Sequence, residues 1–301
     1  MIKPALQDDA FLADVEAARL DREHFHLWWL GQSGFLIQSR GLHALLDPYL
    51  SDSLTVKYAA TDKPHVRLTE RVIAPERLGF VDVVTSSHNH TDHFDPDTLK
   101  PLLKTRPALP LLLPEANRNV GAFRLGLSPK AANLHGLDAG DVKSAGGFQF
   151  NAVPAAHNEL EQDEHDRHKF LGYIVQFGRW RIYHAGDTKH YPGMEDWVRP
   201  FKVDVALLPI NGDRPERKVA GNLDGREAAQ LAKAIGARLA IPMHYAMFAF
   251  NTESPDDFVA ECGRLGQRCR VLQAGERWSS AELDSASDAV AEAPDSGRGQ
   301  A

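Results

Sequence analysis

Four residues of metal-binding type lie within the six-residue segment HNHTDH, directly after the apolar stretch DVVTSS. Imidazole and carboxylate groups at this density are typical of a divalent-cation site, whereas a solvated or capping histidine usually stands alone. Residues two apart in an extended strand end face the same side, so we expect His88 and His90 to bind one ion together. Asp92 and His93 follow where the chain turns toward the next helix, and we expect them to reach a second ion.

Three further residues of the same chemical types each follow a predicted strand. His157 follows FQFNAVPAA, Asp187 follows RIYHAG, and His244 follows LAIPM. Because mixed α/β folds place their sites at the carboxyl ends of strands, we expect these residues to converge with HNHTDH at one edge of a sheet. The predicted metal ligands are therefore His88, His90, Asp92, His93, His157, Asp187 and His244.

The seven ligands divide into two groups and predict a binuclear centre. Imidazole and carboxylate ligands without a thiolate suit Zn²⁺, Mn²⁺ or Fe²⁺ and do not suit copper(I). We therefore expect two divalent metal ions as cofactors, with Asp187 as a bridge between them. The two groups are His88, His90 and His157 on one ion, and Asp92, His93 and His244 on the other.

Such a centre predicts hydrolysis by water. Two cations about 3.5–4 Å apart can share a water molecule and lower its pKa toward neutrality. The hydroxide then attacks a carbonyl carbon or a phosphorus atom, while the second ion stabilises the developing oxyanion. Asp92 and Asp187 are the predicted catalytic residues: Asp187 bridges the ions, and Asp92 either binds metal only or also steers the water and takes its proton. The sequence contains no GxSxG motif, and no cysteine lies beside the metal motifs.

Several residues near these motifs are candidates for supporting or substrate-binding roles. Asp47 in LLDP is placed to hydrogen-bond a ligand histidine, although an aspartate before proline is equally typical of a turn. Asn211 and Arg214 follow another predicted strand, and Lys189 and His190 follow the GDT motif; all four are candidate substrate contacts. For each of the cations, a solvated loop position is the competing interpretation.

The remaining histidines give little indication of function. His184 alternates with apolar residues on a predicted strand and is interpreted as structural, and Phe248 as core or pocket wall. No functional signal attaches to His24, His26, His43, His65 and His135.

The elements that must position these residues follow from apolar periodicity. Residues 5–23 have the spacing of an amphipathic helix, and LWWL, GFLIQ and ALLDPYL read as strands. A hairpin is expected about residues 178–179, and helices are expected after the capping residues Asp95 and Asp224. The segment CRVLQ is predicted to be the last strand. Early hairpins followed by alternating strands and helices predict a mixed α/β fold.

Composition is that of a globular protein, with 301 residues, 43% hydrophobic and 25% charged. Two cysteines fit a reduced compartment, no apolar run reaches membrane-span length, and the start lacks a secretory signal; we expect a cytoplasmic protein. The formal charge is −7, of which residues 280–301 contribute −4, so the rest is nearly neutral. This balance disfavours long nucleic acid as a partner. Residues 280–301 are predicted to be a disordered acidic tail.

The motifs HNHTDH, GDT and PMH, with the intervening His157, resemble those of the metallo-β-lactamase fold superfamily. The segments LWWLGQSGFLI, LLDPYLSDSL, YHAGDT and IPMHYAMF are more narrowly similar to the ascorbate-6-phosphate lactonase branch, and the resemblance covers roughly residues 27–275. It implies a four-layer αββα sandwich in a single domain, residues 1–279, with a helical extension over residues 1–24.

The leading hypothesis is a binuclear metal-dependent hydrolase of a small molecule, attacking an ester or lactone carbonyl; an anionic substrate and a homo-oligomer are both compatible with it. One alternative is a metal-dependent phosphodiesterase acting on a cyclic nucleotide, RNA or a phospholipid head group. A non-catalytic metal-binding protein is the less favoured alternative, because the ligand set is complete. A redox di-iron role is disfavoured, because His90 stands where redox relatives carry Glu.

Overall fold

The computed structural model describes residues 1–284, so residues 285–301 of the predicted acidic tail lie outside the described part of the chain. Its thirteen strands form two sheets, one of seven strands and one of six. The strands are β1 (Phe25–Gly31), β2 (Gly34–Ser39), β3 (Leu42–Leu46), β4 (Val83–Thr85), β5 (Leu111–Pro114), β6 (Leu134–Leu137), β7 (Val142–Ala145), β8 (Phe148–Pro154), β9 (Leu171–Phe177), β10 (Trp180–His184), β11 (Val205–Pro209), β12 (Leu239–Met243) and β13 (Arg277–Ser279).

The seven-stranded sheet has the order β13-β1-β2-β3-β4-β5-β6, and the six-stranded sheet has the order β12-β11-β10-β9-β8-β7. Each sheet combines an antiparallel part with a parallel part: β3 to β6 are parallel in the first, and β10 to β12 in the second. The predicted hairpin is confirmed, because β9 and β10 are antiparallel and Phe177 is paired with Trp180.

Helices flank the two sheets. Phe25 on β1 contacts the rings of Phe177 and Trp180 across the sandwich, at centroid distances of 5.2 and 5.1 Å. Trp28 on the opposite face of β1 contacts Phe11 of the first helix. The predicted arrangement of sheets between helices is therefore confirmed. The helices are α1 (Asp8–Ala18), α2 (Ser53–Tyr58), α3 (Pro96–Thr105), α4 (Arg118–Leu125), α5 (Met194–Val198), α6 (Gly225–Ala234) and α7 (Asp256–Leu265).

The helices that the capping residues predicted begin where expected. The Asp95 side chain accepts a hydrogen bond from the backbone N–H of Asp97, at the start of α3. At α6, Asp224 and Glu227 form a reciprocal capping box, and the helix is followed by Gly236 at a φ of 71°.

Three boundaries differ from the prediction. Helix α1 is shorter than residues 5–23. The segment CRVLQ contributes only an isolated bridge, between Cys269 and Ala240 of β12 at the edge of the second sheet, while β13 forms the edge of the first sheet. Ser280 and Leu283, assigned to the acidic tail, are buried, so packing extends beyond residue 279. Within residues 1–284, no helix has the length and apolar character that a membrane crossing requires.

Candidate metal centre

The seven predicted ligands meet where strand ends of both sheets converge, and they form two groups of donor atoms. Within each group, the donor atoms lie within 4.8 Å of one another. We call the first group the three-histidine cluster and the second the carboxylate cluster. Their members are His88, His90 and His157 in the first, and Asp92, His93, Asp187 and His244 in the second.

Asp187 links the two clusters. One of its carboxylate oxygens lies 3.2 Å from Nε2 of His93, and the other lies 3.2 Å from Nε2 of His244. The latter oxygen is also 3.6 Å from Nε2 of His157, which belongs to the three-histidine cluster. Asp187 thus lies within reach of both clusters, and its role as a bridge between two ions stays a prediction.

The conformation of the HNHTDH segment differs from the prediction. Strand β4 ends at Thr85, and the segment that follows consists of bends and turns rather than an extended strand end. His88 and His90 are brought together by this turn, with ring centroids 4.5 Å apart, and not by strand alternation. The backbone N–H of His93 closes the turn on the carbonyl of His90 at 3.0 Å.

Asp47 orients the ring of His93 from behind. One oxygen of its fully buried carboxylate lies 2.8 Å from Nδ1 of His93, and it also accepts hydrogen bonds from the N–H and hydroxyl of Ser87. Because Nδ1 is engaged, Nε2 of His93 is turned toward the cluster, as is usual for metal-ligating histidines. The supporting role considered for Asp47 agrees with this geometry.

The histidines of the three-histidine cluster are oriented by uncharged groups. Nδ1 of His157 lies 2.8 Å from the carbonyl oxygen of Gly221 and 3.1 Å from Oδ1 of Asn222. Nδ1 of His88 lies 3.0 Å from the hydroxyl of Ser87. Both rings therefore present Nε2 to the cluster, and among residues 1–284 no carboxylate bonds directly to either Nδ1 atom.

Gln32, in the turn between β1 and β2, supports the carboxylate cluster through hydrogen bonds. Its side-chain amide donates to a carboxylate oxygen of Asp92 at 2.8 Å, and its carbonyl accepts the backbone N–H of His244 at 2.9 Å. Gln32 and His244 both adopt a positive φ, at 50° and 63°, which costs free energy for residues other than glycine. These contacts hold the strained backbone that aims His244 at the two carboxylates.

The electrostatics of the two clusters are opposite. Burial lowers the pKa of His88 and His157, so these rings are neutral and ready to bind a cation. Burial also acts on His244, but the Asp187 and Asp92 carboxylates outweigh it and raise the pKa of His244 to about 9.

Three donor atoms of the clusters are buried without a hydrogen-bond partner among the described residues. They are Nε2 of His88, Nε2 of His93 and the Asp187 oxygen that lies 3.2 Å from the latter without forming a hydrogen bond to it. Buried polar atoms are normally paired, and convergent imidazole nitrogens and carboxylate oxygens are the donors that divalent cations accept. The residues present therefore fit a bound metal ion.

The clusters form one side of a cavity of about 490 Å³. Five of the predicted ligands line it, whereas His88 and His93 lie deeper in the protein. Of the four predicted substrate contacts, only Asn211 lines the cavity. Its amide donates to Asn251 at 3.1 Å, and its carbonyl oxygen accepts from Asn222 at 2.9 Å.

The other predicted substrate contacts are paired with carboxylates and are not among the lining residues. The ammonium of Lys189 lies 2.6 Å from Asp213, the Nε2 atom of His190 lies 2.8 Å from Glu195, and the guanidinium of Arg214 lies 3.1 Å from Glu253. These positions match the solvated-loop interpretation better than the substrate-contact interpretation.

Other residues of the site were missed by sequence reasoning. Arg124 on α4 donates to the carbonyls of Asn89 and Phe94 and so holds the HNHTDH turn from outside. His65, which showed no functional signal, lines the cavity beside Tyr58. Neither residue lies near a metal motif in sequence; only the GQSG turn around Gln32, between two strands, offered a local signal.

Comparison with known proteins gives the family. Residues 26–244 match the beta-lactamase superfamily domain. A UPF0173 metal-dependent hydrolase of Thermoplasma acidophilum is 28% identical over 246 residues, covering 81% of this chain and 93% of the relative. A UPF0173 metal-dependent hydrolase of Caldivirga maquilingensis is 29% identical, covering 82% of this chain and 93% of the relative.

Solved structures show the same fold. The metallo hydrolase Igni18 of Ignicoccus hospitalis superposes with a TM-score of 0.61 at 23% identity, covering 85% of this chain and 98% of that one. An isothiocyanate hydrolase from Delia radicum gut bacteria gives a TM-score of 0.65 at 18% identity, covering 84% and 98%. The di-iron β-hydroxylase CmlA of Streptomyces venezuelae gives 0.61 at 16% identity, covering 86% and 54%. Its curated relatives are named metal-dependent hydrolases, and the chain belongs to the beta-lactamase superfamily.

Proposed function

We propose that this protein is a binuclear hydrolase that cleaves a small-molecule ester or lactone. The observation that carries the proposal is the pair of adjacent clusters on one side of a cavity, with Asp187 in reach of both. The narrower resemblance to ascorbate-6-phosphate lactonases supports a lactone as the substrate.

The three-histidine cluster is proposed to hold one divalent cation and the carboxylate cluster the other, with Zn²⁺ or Mn²⁺ favoured over Fe²⁺. When bound, such cations supply Lewis acidity and lower the pKa of water toward neutrality. Asp47, Gly221 and Ser87 fix the rotation of the ligand rings through their Nδ1 atoms. Rings that are held in advance need no rearrangement during the reaction.

The two cavity-lining carboxylates are proposed to act on the reacting groups. Asp187 spans the clusters and keeps their spacing. Asp92 lines the same cavity, and Gln32 fixes one of its oxygens at 2.8 Å, so its carboxylate is placed to accept a proton from the attacking water. No serine or cysteine lines the cavity in residues 1–284, which supports water as the nucleophile.

Purified protein should be loaded with Zn²⁺ or Mn²⁺ and assayed against a lactone panel and bis(p-nitrophenyl) phosphate. We expect two ions per chain by elemental analysis, lactone hydrolysis, and loss of activity after chelation. Hydrolysis of the diester alone would favour the phosphodiesterase alternative and contradict this proposal. No turnover with a single ion or none per chain would favour the non-catalytic alternative.

A further inference from the structure

The cavity has a second side whose chemistry differs from that of the metal clusters. We call it the aromatic wall and define it as Tyr58, His65, Phe248 and Phe250, all of which line the cavity. Tyr58 ends α2, His65 lies in the segment after it, and the two phenylalanines follow β12. Segments far apart in sequence therefore build one aromatic surface in the cavity that the candidate ligands also line.

The rings of the aromatic wall pack on one another. His65 stacks on Tyr58 with a centroid distance of 4.3 Å and an interplanar angle of 22°. The edge of the same ring contacts Phe250 at 4.5 Å and Phe248 at 5.1 Å. Such contacts stabilise aromatic pairs beyond simple burial, so the wall is a preformed surface.

A small hydrophobic cluster supports this wall from behind. It contains Tyr49, Leu54, Met247 and Phe248 and is separate from the main core. Tyr58 and Phe250 pack against it but are only partly buried, so their rings also reach the cavity. A packed base with partly open rings is the arrangement of a binding surface for an apolar ligand group.

The wall carries no formal charge. Nδ1 of His65 lies 2.9 Å from the carbonyl oxygen of Lys63, which can only accept, so Nδ1 bears the proton. Burial lowers the pKa of His65, which keeps the ring neutral near pH 7. The aromatic wall is therefore uncharged.

Away from the metal clusters, a phosphate group finds few cationic side chains in this cavity. Among the described lining residues, the cations are Lys57 and Arg124. Arg124 is committed to the backbone carbonyls of Asn89 and Phe94, and exposed Lys57 lies 5.0 Å from the ring of Tyr58. Tight phosphate sites use convergent, bidentate cations, and this cavity does not assemble them.

We infer, on the basis of the proposed hydrolase function, that the substrate carries a flat apolar group, such as an aryl ring, beside its scissile carbonyl. That group packs on the aromatic wall while the carbonyl faces the metal clusters. The wall thus selects aryl-substituted esters or lactones over phosphorylated sugar lactones.

The first test is binding, which does not depend on turnover. Phenylacetate and acetate share a carboxylate and differ in the ring, and each can be titrated calorimetrically into Zn²⁺-loaded protein. We expect phenylacetate to bind at least roughly tenfold more tightly. Phe250→Ala and Tyr58→Ala should each weaken phenylacetate binding roughly three- to tenfold and leave acetate binding unchanged.

Val56→Ala is the matched control for the Tyr58 variant, because Val56 lies on the same helix, is exposed and does not line the cavity. It should bind phenylacetate like the wild type. If Phe250→Ala is poorly folded by circular dichroism, Phe250→Leu removes the aromatic face while keeping an apolar side chain of similar size. Equal affinity for the two acids, or unchanged phenylacetate binding in folded wall variants, would overturn the inference.

The second test is turnover of δ-valerolactone and isochroman-3-one, its benzo-fused counterpart, with rates corrected for reactivity toward hydroxide. We expect the benzo-fused lactone to be preferred, and the preference to shrink in Phe250→Ala. Ring-dependent binding without hydrolysis of either lactone would reject the proposed function but support the wall. Hydrolysis of both lactones without any ring preference would support the proposed function and overturn the inference about the wall.

Discussion

The three-histidine cluster and the carboxylate cluster lie side by side, yet they differ in charge and in what orients them. The first contains only imidazoles, two of them buried and one exposed, whose neighbours are carbonyl and hydroxyl groups. The second contains two carboxylates and is backed by a third, that of Asp47. Negative charge is therefore concentrated on one half of the candidate centre.

The contrast in charge shows how one fold can prepare two unequal cation sites. The carboxylates attract a cation directly, whereas the neutral histidines offer ligands that burial has already deprotonated. We expect the carboxylate cluster to depend on its charged support and the three-histidine cluster to depend mainly on geometry. Asp187 is the side chain on which both clusters depend.

Replacing Asp187 should therefore have the largest effect. Asp187→Ala removes the carboxylate that lies 3.2 Å from His93 and from His244 and 3.6 Å from His157. We expect turnover to fall by more than about 100-fold, beyond the roughly 10- to 100-fold typical of losing a group that only supports a ligand. Metal content should fall from two ions per chain while circular dichroism shows a folded protein.

Asp196→Ala is the matched control, because this carboxylate is exposed and pairs only with Arg199 on its own helical segment. It should keep both its metal content and its turnover. Wild-type turnover in Asp187→Ala would defeat the bridged-centre account.

The supports of the two clusters should respond unequally. Asp47→Asn removes the charge behind His93 but keeps the shape of the side chain, and we expect metal affinity at the carboxylate cluster to fall roughly 10- to 100-fold. Asn222→Ala should cost less than about tenfold, because Nδ1 of His157 keeps the carbonyl of Gly221 at 2.8 Å.

Competition with a chromophoric chelator would measure both constants for each variant. Equal losses in the two variants would show that charge is not what distinguishes the supports. The two clusters would then differ in their ligands and not in how those ligands are supported.

Arg124 holds the HNHTDH turn from outside, and we expect its replacement to have a smaller effect than replacement of the groups that support the ligand rings. Arg124→Lys keeps the charge but cannot reproduce the fork that bonds Asn89 and Phe94 together. We expect turnover to fall several-fold, by less than about tenfold, since no ligand loses its own partner. Arg179→Lys, on the exposed hairpin turn, is the control and should leave turnover unchanged. A loss equal to that of Asp187→Ala would place Arg124 in the centre itself.

A buried histidine outside the metal centre shows the effect of burial without metal ligation. We expect its replacement to leave turnover unchanged. His43 resembles His88 in being buried with an unpartnered ring nitrogen, but it is not a member of either cluster. Burial, partly opposed by Asp82, lowers the pKa of His43 from 6.5 to about 4. Between these values the unfolded chain binds a proton that the native protein does not, so the free energy of unfolding falls as pH falls.

The contribution amounts to up to about 3 kcal/mol, fully present above pH 6.5 and lost as pH drops toward 4. His43→Leu should remove it, which denaturant titration of metal-free protein at pH 8 and pH 4.5 would show. His165→Leu, at an exposed position, should keep the wild-type pH dependence. An unchanged pH dependence in His43→Leu would contradict this assignment.

Sequence and structure agree where the signal is local. HNHTDH compresses four donors into one turn, and Asp95 and Asp224 mark helix starts through their own side chains. Disagreement begins where partners are distant. Lys189 and Arg214 look like free cations in sequence, but carboxylates 24 and 39 residues away pair with them.

Distance in sequence between partners also explains why the sequence did not indicate some residues of the site. His65 gains its place only because α2 and the segment after β12 fold against each other. Gln32 reaches Asp92 across 60 residues of sequence from a strained turn. CRVLQ has the composition of a strand, but only Cys269 bridges β12, at the edge of the second sheet, and β13 joins the first sheet instead. Composition reveals neither outcome.

The most direct test of the central claim is a crystal structure of Zn²⁺-soaked protein with anomalous diffraction measured at the zinc edge. We expect two peaks, one within the three-histidine cluster and one within the carboxylate cluster, with the Asp187 carboxylate in contact with both. A single peak, or zinc bound away from these seven side chains, would contradict it.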